Sequence, residues 1–307
     1  MSAPELSPTR IANTAQRIRR RVLAHTLSNN GGYLSQACST SEALATLYSG
    51  LMRLGPSLAP SLPLPFAHVP GPGRPYFSGA LYNGPREDHL DRFIFSPVHY
   101  ALVLYATLIE CGRMGPEALD LFNTDGSTVE LIGAEHSPGH EVTAGSLAQA
   151  LSQAAGIALA RKIRRASGRV WVFMSDGEFQ EGQTWEAIAA MAFHEIDNLT
   201  MVVDCNGQQC DGAMQQVMNI EPLAARITAF GGLAHELDGH DPAALIAAAA
   251  QPSQGRPVAL LLRTDPCRGI DALRQRAPKL HYVRFKNDAE RQPYIERLAQ
   301  LNEELPS

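Results

Sequence analysis

Three features that would assign this protein to a broad class are scarce in its sequence: paired cysteines, basic runs and long apolar segments. The five cysteines are scattered and form no Cys-x-x-Cys pair, which argues against a zinc site or a disulfide framework and favours a reducing compartment. The net charge of −5 gives no electrostatic reason to expect nucleic acid or a membrane surface as a partner. No apolar stretch is long enough to span a bilayer, and the start of the chain lacks the apolar core of a signal peptide. We therefore expect a cytoplasmic protein.

One dense basic cluster is present near the start of the chain, at Arg17, Arg19, Arg20 and Arg21. It falls within a helical pattern of apolar residues. We interpret it as a solvated helix face or a contact with a partner protein.

The apolar patterning predicts an α/β protein. The chain has 307 residues, of which 45% are hydrophobic, and this is enough to bury a sizeable core. Short runs that are apolar throughout predict strands at "RFIF", 169–174, 199–204 and 257–262. Helical spacing predicts one helix that begins near Thr40 or Ser41 and another that follows a turn at Ser96-Pro97. It predicts further helices at 9–28, 143–164, 183–195, 221–230, 242–251 and 289–304. Fully apolar strands that alternate with helices indicate a doubly wound, mostly parallel sheet with helices on both faces.

No internal repeat divides the chain, and we predict a single domain over residues 1–307. Residues 55–86 are dense in proline and glycine. We predict a long irregular loop there rather than a linker between domains, because no new composition begins after it.

Polar residues follow two of the predicted strands at the point where each strand ends. Asp176-Gly177 follows one strand, and Asn206-Gly207 follows the next strand along the chain. In open α/β sheets ligands bind beyond the carboxyl ends of the strands, so these residues converge if the strands are neighbours. A carboxylate, an amide oxygen and a backbone carbonyl form half of an octahedral Mg²⁺ site, to which phosphate oxygens and water add the rest. Gly177 also leaves room for a phosphate beside the backbone.

Simpler interpretations of these residues remain open. Asp-Gly and Asn-Gly are common turn pairs, and each alone is more often a turn than a metal site. An aspartate at a strand end is also compatible with a phosphoacceptor or a catalytic acid. The pairing of the two strand ends favours the site for a metal and a diphosphate.

Several longer stretches resemble the transketolase family. The segment "SDGEFQEGQTWEAIAAMAFHEIDNLTMVVDCNGQQCDG" resembles its thiamine diphosphate motif, GDG-E-x-x-EG-x-x-WEA…LDNL…VD-x-NG-x-x-x-DG. "GGYLSQACSTSEALATLY", "DRFIFSPVHYALVLY", "PGHEVTAGSLAQALSQAAGIALARK" and "LDGHD" resemble further elements that occur in that family in the same order. The resemblance extends over most of the chain and implies the thiamine diphosphate-binding fold, specifically its diphosphate-binding domain.

The resemblance implies which residues hold the metal and the diphosphate. Asp176 and Asn206 would be side-chain ligands of Mg²⁺, or of Ca²⁺ or Mn²⁺ in its place, and Gln208 would be a ligand through its backbone carbonyl. Gly177 would lie against the diphosphate, and His99 would contact it. Without the resemblance, His99 would be interpreted as a core histidine with backbone partners.

Four more residues take roles from the resemblance. Gly145 and Leu147 would line the cofactor near its aminopyrimidine ring. Glu181 matches a glutamate that joins the active sites across the family's dimer. His281 matches a histidine close to the cofactor. The intervening Glu178 receives no role, and we expect it on the exposed surface.

The sequence also departs from the family pattern. Ser175 replaces the first glycine of GDG, a change that the fold should tolerate. Asn29 stands where a substrate-facing histidine is expected, and Ile132 lies near the position of a second one, for which His136 or His140 could substitute in space. Both family histidines bind sugar hydroxyls or phosphates, so their loss puts the usual phosphosugar substrates in doubt.

The length of the chain implies a partner. Family members continue into a pyrimidine-binding domain that carries the glutamate that activates the cofactor, and no candidate for that domain follows here. The resemblance therefore implies the N-terminal subunit of a two-subunit enzyme, an α2β2 heterotetramer with a C-terminal partner, which is inactive alone. The expected reaction is transfer of a two-carbon ketol unit between a sugar or keto donor and an aldehyde.

Two other functions are compatible with the sequence. The chain could belong to a related two-component enzyme that decarboxylates a 2-oxo acid and forms an acyloin. It could also be a non-catalytic homologue, although the intact set of Asp176, Gly177 and Asn206 argues against this.

Overall fold

A five-stranded parallel sheet forms the centre of the protein. The computed structural model describes residues 7–69, 71–74 and 76–305. Its strands are β1 (Gly31–Gly32), β2 (Arg92–Phe95), β3 (Val170–Ser175), β4 (Leu199–Cys205), β5 (Gln208–Gln209), β6 (Gly212–Ala213), β7 (Leu233–Asp238), β8 (Val258–Arg263) and β9 (Val283–Arg284). The central sheet has the order β2-β3-β4-β8-β7, and the short strands form two antiparallel pairs, β1 with β9 and β5 with β6.

Helices cover both faces of this sheet. They are α1 (Pro8–Ser28), α2 (Leu34–Thr46), α3 (Ala101–Glu110), α4 (Gln149–Ile163), α5 (Gly182–Phe193), α6 (Met214–Val217), α7 (Leu223–Ala229), α8 (Pro242–Ala249) and α9 (Asp288–Glu304). Side chains of α1, α2, α3, α8 and α9 build one hydrophobic core, and those of α4, α5 and α7 build another. The predicted doubly wound α/β fold is therefore confirmed.

Strand β3 shows why these segments form a covered sheet. All six of its residues are buried. Trp171 and Phe173 belong to one core, whereas Val170, Val172 and Met174 belong to the other, because successive side chains of a strand point to opposite faces. A strand with two buried faces is apolar throughout, and this is the pattern that predicted it.

Some helix and strand boundaries differ from the prediction. Helix α2 begins at Leu34 rather than near Thr40 or Ser41, since the hydroxyls of Thr40 and Ser41 donate to carbonyls four residues earlier instead of capping a helix. Helix α4 begins at Gln149 rather than at residue 143, after Ala148 takes a left-handed conformation with φ of 68°. Strand β7, at the edge of the sheet, was not predicted.

The arginines of the basic cluster in α1 form contacts within the chain. Arg19 is buried and pairs with Glu42, while Arg17 and Arg21 both pair with Glu110 at the end of α3. Arg17, Arg19 and Arg21 therefore join helices within the chain, and the interpretation as a solvated face is wrong for Arg19, whereas a contact with a partner protein stays a prediction.

Residues 55–86 contain one short 3-10 helix, Gly79–Asn83, among the residues described in that segment. That helix is anchored to the rest of the protein, because the amide of Gly79 donates to the carbonyl of Glu135 at 2.7 Å. Across the described part of the chain, no helix combines the length and the apolar character that crossing a membrane requires.

Candidate functional site

A cavity of about 260 Å³ opens at the carboxyl edge of the central sheet. The residues that line it come from loops that follow β2, β3 and β4, from the segment before α4, and from the segment before β9. All nine residues singled out from the sequence are among them: His99, Gly145, Leu147, Asp176, Gly177, Glu181, Asn206, Gln208 and His281. The structure thus brings together residues that lie far apart in the sequence, from His99 to His281.

The loops after β3 and β4 meet as the strand-end argument predicted. The two strands are direct parallel neighbours, with Ser175 opposite Asp204. The backbone amide of Gly207 donates to Oδ2 of Asp176 at 2.9 Å, which joins the two loops. The side-chain oxygen Oδ1 of Asn206 accepts from the amide of Gln208 at 2.8 Å. The carboxylate of Asp176 and the amide oxygen of Asn206 therefore belong to two adjoining loops that line the cavity.

The surroundings of Asp176 suit a bound cation. Its side chain is buried, and burial together with the negative charge of Asp204 raises the pKa of Asp176 to about 8, against hydrogen bonds from the amides of Gly207 and Gly177. No lysine or arginine is among the described residues that line the cavity. A divalent cation would supply the missing positive charge, both for Asp176 and for an anionic ligand.

Histidine, cysteine, aspartate and glutamate side chains form no cluster of three or more that could hold a metal within the described ranges. The metal site predicted from the sequence does not require such a cluster, because an amide oxygen and a backbone carbonyl would be its other protein ligands. In addition, Oε1 of Gln208 is buried and has no hydrogen-bond partner among the described residues. A ligand, or a water molecule bound with it, would supply the missing hydrogen-bond donor at this loop.

Two glycines leave space where a diphosphate would fit. A Cβ added to Gly145 would meet nothing within 4 Å, and one added to Gly177 would meet only Oγ of Ser175 at 4.0 Å. Both glycines line the cavity. The backbone is therefore accessible to a ligand at both positions, which fits close approach of a phosphate group.

Two histidines form an aromatic wall of the cavity. The ring centroids of His99 and His281 lie 5.1 Å apart, and Tyr33 packs edge-on against both. Burial, and then the neighbouring His281, lower the pKa of His99 to about 3, so its imidazole is neutral at pH 7. A neutral imidazole retains one N–H donor that can serve an anionic ligand.

Glu178 does not lie on the surface, and the expectation that it would is wrong, because its side chain is fully buried. Its Oε1 accepts from the hydroxyl of Ser96 and from the amide of Ala148 at 3.2 Å, and its Oε2 accepts from the amide of Ser175 at 2.8 Å. Burial raises the pKa of Glu178. One carboxyl group thus joins the segments that bring His99, Leu147 and Asp176 to the cavity.

The positions that depart from the family pattern have different environments. Ile132 lines the cavity and is 46% exposed. His140 is completely buried, and His136 pairs with Glu130 at 3.0 Å, and neither lines the cavity. The side chain of Asn29 donates to the carbonyl of Gly31 at 3.1 Å. Neither histidine replaces the expected one, and an apolar side chain takes that part of the wall.

Comparison with known protein families gives a match over most of the chain. A family model described as "Transketolase, thiamine diphosphate binding domain" matches residues 74–289. A putative uncharacterized transketolase family protein of Sinorhizobium fredii is 32% identical over 278 residues, which make up 89% of each chain.

Two further relatives are named as parts of larger enzymes. The 6-deoxy-6-sulfo-D-fructose transketolase subunit of a Clostridium species is 30% identical over 84% of this chain and 86% of its own length. An apulose-4-phosphate transketolase subunit of Phocaeicola vulgatus is 29% identical over 74% of this chain and 72% of its own. Human transketolase is 31% identical over 85% of this chain, which spans only 38% of that protein.

Solved structures show the same fold. The crystal structure of transketolase from Campylobacter jejuni superposes with a TM-score of 0.75 over 95% of this chain and 43% of that one, at 20% identity. Transketolase from Pichia stipitis superposes with a TM-score of 0.73 at 22% identity. At these identities the similarity establishes the architecture alone.

Proposed function

The chain belongs to the transketolase family and carries its thiamine diphosphate binding domain, and we propose that it is the diphosphate-binding subunit of a two-subunit transketolase. The enzyme would transfer a two-carbon ketol unit from a ketose-type donor to an aldehyde acceptor. The five cysteines are all free, which supports the cytoplasmic location that we propose with it.

One observation carries the proposal: the oxygen ligands, the two open glycines and the neutral histidine line a single cavity. Each of these features is common alone. Together they provide the groups that a metal and a diphosphate need, at the sheet edge where α/β proteins bind ligands.

Thiamine diphosphate, when bound, supplies the chemistry that cleaves and forms the carbon–carbon bond, and the protein supplies binding, orientation and electrostatics. In this chain the side chains of Asp176 and Asn206 and the carbonyl of Gln208 would hold Mg²⁺. Gly177 and His99 would bind the diphosphate, with the neutral imidazole donating one hydrogen bond. Gly145 and Leu147 would border the ring system of the cofactor, where His281 closes the wall.

The remaining surface of the site would come from a partner protein that carries the pyrimidine domain and the activating glutamate, in an α2β2 heterotetramer. Two relatives that match most of their own length are named as transketolase subunits. The cavity also has exposed groups at its mouth, since Glu181 is exposed and Leu147 is 37% exposed. A partner that covers this mouth would exclude water from the reaction and give Glu181 its contact between subunits.

The test combines the chain with its partner protein, thiamine diphosphate and Mg²⁺, and measures ketose formation from hydroxypyruvate and a panel of aldehydes. We expect turnover by the pair and none by either protein without the other. The matched variant Asp176→Ala should abolish metal-dependent binding of thiamine diphosphate, as measured by calorimetry. Turnover by the isolated chain contradicts the two-subunit proposal, and equal cofactor binding by the variant contradicts the assigned site.

A further inference from the structure

Asp204 is a buried carboxylate beside the proposed metal site, and none of the roles assigned above uses it. It lies near the end of β4, two residues before Asn206, and is 1% exposed. It forms no ion pair within the described ranges, so only uncharged donors surround it. Burying a carboxylate without a cationic partner costs free energy of folding. We therefore expect a role of Asp204 in the neighbouring site.

The two oxygens of Asp204 have different partners. Oδ1 accepts from the hydroxyl of Thr264 at 2.6 Å. Oδ2 accepts from the hydroxyl of Ser39 at 2.8 Å, from the side-chain amide Nδ2 of Asn206 at 2.8 Å and from the hydroxyl of Tyr100 at 3.4 Å. Ser39 belongs to α2 and Thr264 follows β8, so the carboxylate is held from two sides and cannot rotate freely.

The side-chain amide of Asn206 is held in one orientation as a result. Its Nδ2 donates to Asp204 and also to the hydroxyl of Tyr100 at 3.2 Å, which uses both amide hydrogens. A rotation by 180° would place Oδ1 of Asn206 against the carboxylate, acceptor against acceptor. Oδ1 therefore faces away from Asp204 and keeps a lone pair beyond the one that accepts from Gln208.

We propose that Asp204 is a positioning residue that fixes the Asn206 amide with its oxygen directed to the metal. The inference rests on the proposed function, in which Asn206 is a ligand. Groups that orient metal ligands typically contribute about 10–100-fold to metal affinity. Asp204 would act in this way without touching the metal or the cofactor.

The experiment measures Mn²⁺ affinity of the full chain by electron paramagnetic resonance, in the presence of thiamine diphosphate, together with the melting temperature. Asp204→Leu removes both carboxylate oxygens, one of which accepts from the Asn206 amide. This change should weaken Mn²⁺ binding roughly 10–100-fold. Thr264→Val is the matched control, because it removes a donor from the oxygen that does not face Asn206, and its effect should be much smaller. Tyr100→Phe removes the other acceptor of the amide and also a donor to Asp204. Both losses loosen the same orientation, so this variant tests it if Asp204→Leu does not fold.

A second background separates orientation from general structure. In Asn206→Asp the side chain has an oxygen on both sides and needs no orientation. Adding Asp204→Leu to this variant should leave Mn²⁺ affinity unchanged or raise it, since two neighbouring carboxylates are no longer opposed. An equal loss in both backgrounds shows a merely structural role and overturns the inference.

The remaining outcomes are also decisive. If the unmodified chain binds Mn²⁺ and Asp204→Leu and Tyr100→Phe bind it equally well, the positioning role is wrong while the metal site stands. If the unmodified chain binds no Mn²⁺ with thiamine diphosphate present, either alone or together with its partner protein, the proposed site fails and the inference fails with it.

Discussion

Two buried carboxylates, Asp176 and Glu42, are 4% and 7% exposed, yet their surroundings shift their pKa values in opposite directions. At the cavity, burial and Asp204 raise the pKa of Asp176 to about 8. At Glu42 burial also raises the pKa, but the hydrogen bond with His240 and the charge of Arg19 outweigh it and lower the pKa to about 2. One carboxylate is neutralised within the chain, and the other lacks a positive partner.

The Glu42 cluster, formed by Glu42, Arg19 and His240, is complete in itself. Nδ1 of His240 lies 3.1 Å from Oε2 of Glu42, and Nε2 of His240 accepts from the amide of Asp265 at 2.8 Å, which assigns the imidazole proton to Nδ1. The "LDGHD" motif therefore contributes to the packing of α2 against the sheet. Glu42 thus has a cationic partner within the chain, whereas no lysine or arginine among the described residues lines the cavity at Asp176, which supports the proposed role of Asp176 in binding a ligand.

The largest effect is expected from breaking the Glu42 cluster. Arg19→Met removes the buried positive charge and leaves Glu42 with only the imidazole of His240. We expect the free energy of unfolding to fall by about 3–5 kcal/mol, measured by urea denaturation at pH 7. Arg268→Met is the control, because Arg268 is exposed and forms no ion pair with the described residues. A loss no larger than that of the control would show that the pair is not structural.

The same cluster predicts a pH dependence. A carboxyl whose pKa is lowered on folding contributes stability above its unfolded value, near 4.5, and loses it as the pH falls towards about 2. The difference in unfolding free energy between the unmodified protein and Glu42→Gln should therefore be constant above pH 5 and shrink as the pH is lowered below 4.5. Urea denaturation at a series of pH values measures it. A difference that stays constant below pH 4.5 contradicts the assignment of the low pKa to Glu42.

The fold could be predicted because its central strands are apolar on both faces, as in β3 and β4. Strand β7 escaped this criterion, since only one of its faces packs well and its sequence, "LAHELD", mixes apolar and charged residues. The fully buried α2 shows no amphipathic pattern that would mark its start. Periodicity therefore finds covered strands and half-exposed helices, and it misses edge strands and fully buried helices.

The site was predictable only in part, for a related reason. Asp176 and Asn206 follow strand ends, and that position is visible in the sequence. The burial of Glu178 and of Asp204 depends on hydroxyls from Ser96 and Ser39, which are 82 and 165 residues away in the sequence. Those donors are brought in by tertiary packing, so sequence spacing could not distinguish buried anchors from surface acids.

Glu178 is intermediate between Asp176 and the Glu42 cluster. Its carboxyl group has hydrogen-bond partners within the chain, but these are neutral donors rather than cations. In Glu178→Gln an amide NH₂ replaces one of the two acceptor oxygens. This NH₂ group then lies against an N–H or O–H group, so that two donors oppose each other. We expect a loss of about 1–3 kcal/mol in unfolding free energy, with faster hydrogen exchange near Ser96 and Ala148. Glu181→Gln, an exposed neighbour, should change stability by less than about 0.5 kcal/mol. Equal losses in the two variants would contradict the anchoring role.

The smallest effect on stability is expected at Asp176, where the same carboxyl-to-amide change tests the comparison directly. Asp176→Asn keeps an oxygen that accepts from Gly207 and removes a carboxyl group that has no lysine or arginine beside it among the described residues at the cavity. The unfolding free energy without ligands should change by less than about 1 kcal/mol, because the substitution breaks no ion pair with a described residue and keeps the acceptor of the Gly207 amide. The rise in melting temperature caused by thiamine diphosphate with Mg²⁺ should disappear in Asp176→Asn and persist in Glu42→Gln. If Asp176→Asn instead lowers stability as much as Glu42→Gln and keeps the ligand-induced rise, Asp176 is a structural group and the contrast between the two regions is wrong.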